Sequence, residues 1–77
     1  MKKMKEDSIL KSFGKNVQRA RIAQNLTQEE LAFKVNMHNT YIGMIERAER
    51  KISIVAAAKI SRALDVSLDY LISEPNE

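Results

Sequence analysis

The sequence predicts an all-α protein, a compact bundle of five short helices that forms one domain of 77 residues. Apolar residues recur at three- or four-residue spacing, and no alternating strand pattern is present. The chain contains two glycines and one proline, a composition that suits helices. Small polar residues that cap helices precede several of the apolar segments. Because there is no cysteine, helix packing has to supply the core.

The first helix is predicted to run from about Asp7 or Ser8 to Gln24. Ser8 is the expected N-cap, and Glu6 and Asp7 place negative charge near the positive end of the helix. Asn25 is suited to the left-handed conformation that stops a helix. The inward face is formed by residues at helical spacing, namely Leu10, Phe13, Val17 and Ala20.

The second helix is expected to open with the tetrapeptide TQEE and to end near Lys34 or Val35. Thr27 as N-cap and Glu30 three residues later form a capping box. Asn36 can take the left-handed turn that follows. The residues expected to face inward are Leu31, Ala32 and Val35.

The third helix is predicted to begin near His38 or Asn39 and to end near Arg47. Its apolar row consists of Met37, Tyr41, Ile42 and Ile45. The intervening segment VNMH is short, and two helices joined by such a turn are typical of a helix-turn-helix. The second and third helices therefore predict this motif.

Ser53 is the predicted cap of a fourth helix, Ile54 to Leu64, which Asp65 ends. Its buried side is expected to consist of Ile54, Ala57, Ala58, Ile60 and Leu64. Ser67 then caps a short fifth helix, LDYLI. Outside the bundle we expect a basic extension of about residues 1–7 and a polar tail of about residues 73–77.

Charge is distributed unevenly along the chain. Residues 1–51 contain eleven Lys/Arg and six Asp/Glu, whereas residues 52–77 contain two and four. The first two thirds could therefore face a polyanion, although a net charge of +3 is equally compatible with solubility alone. No apolar run approaches the roughly 20 residues of a membrane span, and none near the start suits a signal peptide. We therefore expect a cytoplasmic protein.

Two charged residues fall on the inward stripes of predicted helices. Arg21 follows Val17 by four residues, and Glu46 follows Ile42 by four. An unpaired buried charge costs several kcal/mol. One interpretation is therefore an ion pair that joins the first helix to the third, and the other is two separate exposed charges.

Three segments, LTQEELAFKVN, YIGMIERAERKIS and AAKISRALDVSLDYLI, resemble the phage-repressor-type helix-turn-helix family, also called the Cro/repressor or xenobiotic-response-element type. The resemblance covers roughly Phe13 to Ile72 and implies a DNA-binding protein. Members of this family have an arginine–glutamate pair between the first and third helices. Arg21 and Glu46 match those positions, so the resemblance favours the ion pair.

The segment HNTYIGMIERAERKIS is most similar to the controller proteins of restriction–modification systems. Three positions depart from the pattern. Asn39 stands where many controllers have arginine, and Ala48 stands where glycine is common. Ile52 stands where many members of the broader family have proline.

The resemblance places the third helix in the major groove of DNA, with its N-terminal residues against base edges. The expected base contacts come from His38, Asn39, Thr40, Tyr41 and Met44. Asparagine can bond adenine through two atoms, threonine offers a hydroxyl and a methyl group, and histidine can donate or accept. The alternative is a solvated helix start with a capping residue.

A second group of residues is expected to contact phosphates. In the resembling family, the glutamine at the position of Gln28 bonds a phosphate and braces the recognition helix. The start of the second helix at Thr27 also favours anions. The third helix is followed by the cations Arg47, Arg50 and Lys51. The alternative is a solvated charge run, which Glu49 interrupts; Arg50 could instead reach a guanine.

One such domain offers few base readers, and each good contact is worth about 1–3 kcal/mol. We therefore expect a homodimer whose recognition helices are about one DNA turn apart, roughly 34 Å. The C-terminal third has apolar residues for pairing, namely Val66, Leu68, Tyr70, Leu71 and Ile72. Some of these residues must also close the core.

The sequence predicts a sequence-specific transcriptional regulator that binds double-stranded DNA as a homodimer on palindromic operator half-sites. The controller resemblance implies control of its own promoter and of an adjacent restriction gene. Activation would require contact with RNA polymerase, possible around Glu49. The alternatives are a phage-type repressor, an antitoxin- or coactivator-like protein-interaction module, and a membrane-surface helix formed by MKKMK. We expect no binding to membranes.

No enzyme activity, cofactor, metal or small-molecule ligand is expected from the sequence. His38 is the single histidine of the chain, and no other metal ligands cluster near it in sequence. No nucleophile with a base, and no paired carboxylates, stand at a spacing that indicates catalysis.

Overall fold

The computed structural model describes residues 6–75, which form five α-helices. They are α1 (Glu6–Ala23), α2 (Gln28–Val35), α3 (Asn39–Glu46), α4 (Ile54–Leu64) and α5 (Leu68–Ile72). No strand occurs within that range. The predicted all-α bundle is therefore confirmed. Most of the expected basic extension, including MKKMK, and the end of the polar tail lie outside the described residues.

Four of the helices begin at a side chain that accepts a hydrogen bond from the first turn. These N-caps are Thr27, His38, Ser53 and Ser67. At α2 the capping box is complete, because Thr27 Oγ1 accepts from Glu30 N at 3.0 Å and Thr27 N donates to Glu30 Oε1 at 2.8 Å. These bonds lower the pKa of Glu30. The prediction that Ser8 caps α1 is wrong, because α1 already includes Glu6 and Ser8 lies inside it.

The first four helices end in the same way, at a residue with positive φ. These residues are Asn25, Asn36, Ala48 and Asp65, with φ of 59°, 58°, 59° and 54°. In each case the next N–H bonds back to a carbonyl five residues earlier, as Glu49 N does to Met44 O at 2.9 Å. This is the Schellman arrangement, which satisfies carbonyls at a helix end. The predicted left-handed stops at Asn25 and Asn36 are confirmed.

The core lies where all five helices meet. Its buried apolar residues are Phe13, Val17, Ala20, Leu31, Ala32, Val35, Ile42, Ile45, Ala57, Ile60, Leu64 and Leu71. The prediction that Ile54 is buried is wrong, because its side chain is 78% exposed. Ile54 is the first residue of α4 and lines an open cleft at the surface. Ala56 and Ser61, which were not expected inside, are buried.

Asn16 is a buried amide on α1 that holds the C-terminal helix in place. Its Nδ2 lies 2.9, 3.1 and 2.8 Å from the carbonyl oxygens of Tyr70, Leu71 and Ser73. Tyr70 and Leu71 lie in the last turn of α5 and Ser73 is its C-cap, at the end of the helix where carbonyls lack the regular bond from four residues on. Asn16 therefore caps α5 from a residue more than fifty positions earlier in the chain.

The helix-turn-helix motif consists of α2, the turn of residues 36–38 and α3. Within it, Met37 N donates to Ala32 O at 2.9 Å, which closes the end of α2. The side chain of Met37 packs against the core and holds the turn against the bundle. None of the helices that the structure describes is long and apolar enough to cross a membrane.

Candidate nucleic-acid interface

The start of α3 presents a short row of polar side chains to solvent. His38, Asn39 and Thr40 are exposed, and His38 Nδ1 accepts a hydrogen bond from Thr40 N at 3.1 Å. Tyr41 and Met44 are half-buried, and Tyr41 packs against the core. Of the five residues expected to touch bases, three are thus available on the surface, while the other two are partly used in packing. The capping role that was the alternative for this cluster does occur, at His38.

A buried ion pair fixes α3 against α1. Arg21 Nε lies 2.7 Å from Glu46 Oε2, and Arg21 Nη2 lies 3.1 Å from Glu46 Oε1. The two side chains are 11% and 2% exposed. Arg21 Nη1 also donates to Leu26 O at 2.7 Å, just before α2. The ion pair expected from the sequence is therefore confirmed, and the interpretation as two separate exposed charges is wrong.

The same carboxylate connects α3 to α2. Gln28 Nε2 donates to Glu46 Oε1 at 3.0 Å. Glu46 therefore receives hydrogen bonds from both Arg21 and Gln28, which satisfies a buried charge that would otherwise be costly. The glutamine expected at a phosphate is also a brace for the third helix, as the resemblance implied.

Gly43 marks the point at which α2, α3 and the following loop come together. A Cβ at this position would lie 3.1 Å from Arg47 Nη1 and 3.5 Å from Gln28 Oε1. Because residues three and four apart share a helix face, Asn39, Gly43 and Arg47 lie along one side of α3. This side, defined by Asn39, Thr40, Gly43, Arg47 and the neighbouring Gln28, is called the α3 face below.

The cations that follow α3 are held by neighbouring side chains. Arg47 pairs with Glu49 through contacts of 2.9 and 3.2 Å. The hydrogen bonds that Arg47 donates to Glu49 lower the pKa of Glu49 and raise the pKa of Arg47. Lys51 Nζ lies 2.9 Å from Glu6 Oε1, and this bond raises the pKa of Lys51. All of these groups are solvent-exposed, so the pairs are weak and exchangeable.

Arg50, in the segment that follows α3, contacts a side chain of α3. Its guanidinium carbon lies 5.6 Å from the centroid of the Tyr41 ring, within cation–π range. Tyr41 is the residue after Thr40, so Arg50 lies near the polar start of α3. Of the residues expected at phosphates, the structure thus brings Gln28, Arg47 and Arg50 against α3, which carries those expected at bases.

A second surface, formed by residues of α1, α4, α5 and the segment before α4, is apolar. A cleft of about 250 Å³ is lined by Ile9, Leu10, Phe13, Ile52, Ile54, Ala57, Leu68 and Ile72. Of the residues expected to form a dimer contact, Leu68, Tyr70 and Ile72 are 37%, 41% and 46% exposed. Val66 is half-buried against the core. The prediction that Leu71 contacts a partner is wrong, because its side chain is fully buried within its own chain.

Sequence reasoning missed several contributors to the site. Glu6 and Glu49 were treated as helix-end and interrupting charges, although each pairs with an expected phosphate ligand. Gly14 was not singled out, although a Cβ there would lie 2.7 Å from Glu46 O and closer still to Ile45 O. The signal for Gly14 was available, since a glycine inside an apolar helix pattern often marks a close helix approach.

The arrangement described so far defines a class of protein. A buried Arg–Glu pair and a short turn present one polar helix start beside exposed cations, and this is the geometry of a DNA-reading helix-turn-helix. The chain matches the helix-turn-helix family model over residues 17–71 and belongs to that family.

Its relatives narrow the class to control proteins. The chain is 46% identical over 55 residues to control protein C.BamHI of Bacillus amyloliquefaciens, covering 70% of this chain and 68% of the relative. The restriction–modification controller protein C.AhdI from Aeromonas hydrophila superposes with a TM-score of 0.77 at 37% identity, over 80% of this chain and 94% of that one.

A third relative has been solved on DNA. The restriction–modification controller protein C.Esp1396I, crystallised as a tetramer with its natural 35-base-pair operator, superposes with a TM-score of 0.72 at 36% identity. The match covers 77% of this chain and 78% of that one. The controller resemblance predicted from the sequence is confirmed.

Proposed function

We propose that this chain acts as a homodimeric, sequence-specific DNA-binding regulator of transcription on palindromic operator half-sites. The observation that carries the proposal is the α3 face, where exposed Asn39 and Thr40 lie in line with Arg47 and beside Gln28. Base edges require directional polar groups, whereas phosphates require cations and N–H donors. Both kinds of group occur here on one side of one short helix.

The base readers on this face are His38, Asn39 and Thr40, with Tyr41 and Met44 beside them. Asn39 and Thr40 make no side-chain hydrogen bond to the rest of residues 6–75, so their amide and hydroxyl remain available to bases. Tyr41 and Met44 are half-buried and therefore fit apolar contacts to sugar or to a thymine methyl.

The phosphate ligands are Thr27, Gln28, Arg47, Arg50 and Lys51. Arg47 and Lys51 are screened by Glu49 and Glu6 in the free protein. Exposed ion pairs of this kind are worth about 0–1 kcal/mol, so a DNA phosphate can replace the carboxylate. Thr27 and Gln28 stand at the start of α2, where backbone N–H groups without helical partners favour an anion.

Self-association is proposed through the apolar cleft and the exposed side of α5. Leu68 and Ile72 line the cleft, and Tyr70 lies beside them on the same short helix. The acidic balance of residues 52–77 fits a surface that is turned away from DNA. Pairing there leaves the α3 face of each protomer free to enter the major groove.

The relatives named above are control proteins, and this indicates which promoters the chain regulates. We propose that this chain, like a control protein, regulates its own promoter and that of an adjacent restriction gene. It acts by binding alone, without catalysis or a cofactor, in the cytoplasm. Activation uses a contact with RNA polymerase around Glu49, the exposed residue that leaves Arg47 when DNA binds.

The proposal is tested by selecting bound DNA from a random pool at two salt concentrations. We expect a two-fold symmetric site with half-sites about one helical turn apart, roughly 34 Å. Weak and sequence-blind retention would instead favour the protein-interaction module on the same fold. Recovery of a single unpaired half-site would contradict the homodimer.

A matched pair of variants then separates the two kinds of contact. Lys51→Ala should reduce the slope of log affinity against log salt by about one unit and leave the preferred bases unchanged. Asn39→Ala should relax the preference at one position per half-site with little change in that slope. If Lys51→Ala changes the preferred bases, or Asn39→Ala weakens all sequences equally, the assignment of the two groups is wrong.

A further inference from the structure

The hydrogen bond at the start of α3 fixes the chemistry of the His38 ring. Thr40 N lies 3.1 Å from His38 Nδ1. A backbone N–H can only donate, so Nδ1 is the acceptor and carries no hydrogen. In the neutral imidazole the hydrogen is then on Nε2, because the two ring nitrogens have opposite roles. His38 therefore offers one donor, and no acceptor, to whatever approaches it.

This donor is also held in place and accessible. His38 is exposed, and Nε2 has no hydrogen-bond partner among residues 6–75. Because the ring caps α3, turning it away would break its hydrogen bond to Thr40 N, which favours this orientation of the ring. The next residue, Asn39, is the first residue of α3 and a proposed base reader. A recognition helix contacts base edges with these N-terminal residues, whereas phosphates are contacted farther out.

We infer that His38 is a specificity-determining residue whose Nε2–H donates to N7 of a guanine in each half-site, an inference that rests on the DNA-binding function proposed above. Guanine presents two adjacent acceptors, N7 and O6, in the major groove. Adenine also has N7 but carries the N6 amino donor beside it, which repels a second donor, so guanine is the favoured purine. Thymine has a methyl group beside its single acceptor. Cytosine presents a donor, which a second donor cannot bond, so cytosine is excluded at this position.

The variants that test this assignment separate capping from base reading. Serine is at least as good an N-cap as histidine and has no outward ring donor, whereas alanine lacks both. His38→Ser should therefore unfold at the same temperature as the wild type, and His38→Ala at a lower temperature. Both variants should lose the guanine preference at one position per half-site, while the position read by Asn39 keeps its preference.

A modified operator tests the bond itself. Replacing that guanine with 7-deazaguanine removes N7 and leaves the base pair intact. Wild-type binding should weaken roughly three- to tenfold per half-site, the loss expected for one neutral hydrogen bond, whereas His38→Ser should bind both operators equally. Equal losses for wild type and His38→Ser, an unchanged guanine preference in His38→Ser, or equal weakening on every sequence would overturn the inference.

The failure of this inference and that of the proposed function are distinguishable. If the wild type selects no two-fold site, the proposed function fails, whatever His38 does. If it selects such a site and His38→Ser selects the same bases, DNA reading stands and the His38 assignment is overturned.

Discussion

At the scale of single residues, one arginine joins three parts of the fold. Arg21 extends from α1 to Glu46 of α3 and to the carbonyl of Leu26 before α2. The apolar stripes left two interpretations open, and the resemblance to the helix-turn-helix family was what favoured the pair. The geometry of the pair could not be predicted, because the sequence does not show that Gln28 would share the same carboxylate.

Removing Glu46 tests how much this pair contributes. Glu46→Ala would leave Arg21 buried without its counter-charge, which typically costs about 3–5 kcal/mol of unfolding free energy. The measurement is denaturant unfolding followed by circular dichroism. Glu49→Gln serves as the control, because its pair with Arg47 is exposed and should contribute little. A Glu46→Ala loss as small as that of the control would show that the buried pair does not stabilise the fold.

Ala48 is the exception among the residues that end helices. The other three left-handed positions hold asparagine or aspartate, which tolerate positive φ, whereas Ala48 has φ 59° and no local side-chain hydrogen bond to offset it. The departure from glycine was visible in the sequence. The sequence could not show that the backbone keeps the left-handed conformation at Ala48, because alanine also suits a helix that continues through this position.

Ala48→Gly should therefore stabilise the protein. The left-handed conformation costs a non-glycine residue about 1–2 kcal/mol, and glycine avoids this cost. Part of the gain is lost, because glycine also gives the unfolded chain more conformational freedom and so lowers its free energy. We expect the free energy of unfolding, measured by thermal unfolding, to rise by about 0.5–1 kcal/mol. Asn25→Gly is the matched control, with a smaller gain expected. A loss of stability in Ala48→Gly would mean that the turn is not strained.

At the scale of elements, the crossing of α1 and α3 depends on a missing side chain. Gly14 lies against the backbone carbonyls of Ile45 and Glu46, where a Cβ has no room. This close approach places the end of α3 beside α1, so that Arg21 can reach Glu46 through both of its carboxylate oxygens. The crossing thus positions the recognition helix as well as the core.

The two glycines of the chain should respond in opposite ways to alanine. Gly14→Ala should cost about 1–3 kcal/mol, the range for overpacking, because backbone atoms cannot move aside. Gly43→Ala should be neutral or stabilising by up to about 1 kcal/mol, since it gains helix propensity, meets the flexible end of Arg47 and leaves Gln28 Oε1 at an ordinary contact distance of 3.5 Å. Thermal unfolding of both variants provides the measurement. Equal effects would contradict the close crossing.

Helix ends were more predictable than helix surroundings. Caps such as Thr27 and Ser53 depend on residues within one turn, and they occur as expected. The surroundings of Asn16 and Ile54 depend on distant elements: the sequence did not indicate a role for Asn16, and the prediction for Ile54 is wrong. In the sequence Asn16 is not distinguishable from an exposed polar residue of a helix. Its burial depends on the carbonyls of α5, which are more than fifty residues away in the chain. Likewise, whether Ile54 is covered depends on where the neighbouring helices stop.

At the scale of the whole molecule, two surfaces of different character lie on one small bundle. The α3 face is polar and flanked by cations, whereas the cleft of Ile9, Ile54, Leu68 and Ile72 is apolar. The sequence indicated both chemistries through its uneven charge and its surplus of C-terminal apolar residues. It did not indicate that α1 and α4 contribute to the cleft, because that depends on the three-dimensional arrangement of α1, α4 and α5.

The apolar cleft should determine the oligomeric state. Burying an isoleucine side chain is worth about 1.5–3 kcal/mol, and a charge in its place adds a desolvation cost. Ile72→Glu should therefore raise the dimer dissociation constant at least about tenfold. In sedimentation experiments without DNA, the variant should be monomeric at concentrations where the wild type is dimeric. Circular dichroism would check that its fold is retained.

Phe33→Glu is the matched control for that experiment. Phe33 is 88% exposed, more than Ile72, but it lies on α2 and away from the cleft. The same charge at this position should leave the dimer intact, because exposure alone does not make an interface. On DNA, Ile72→Glu should bind a full operator no better than a single half-site, whereas the wild type keeps the advantage of two half-sites. A monomeric Phe33→Glu together with a dimeric Ile72→Glu would move the dimer contact from the cleft to α2.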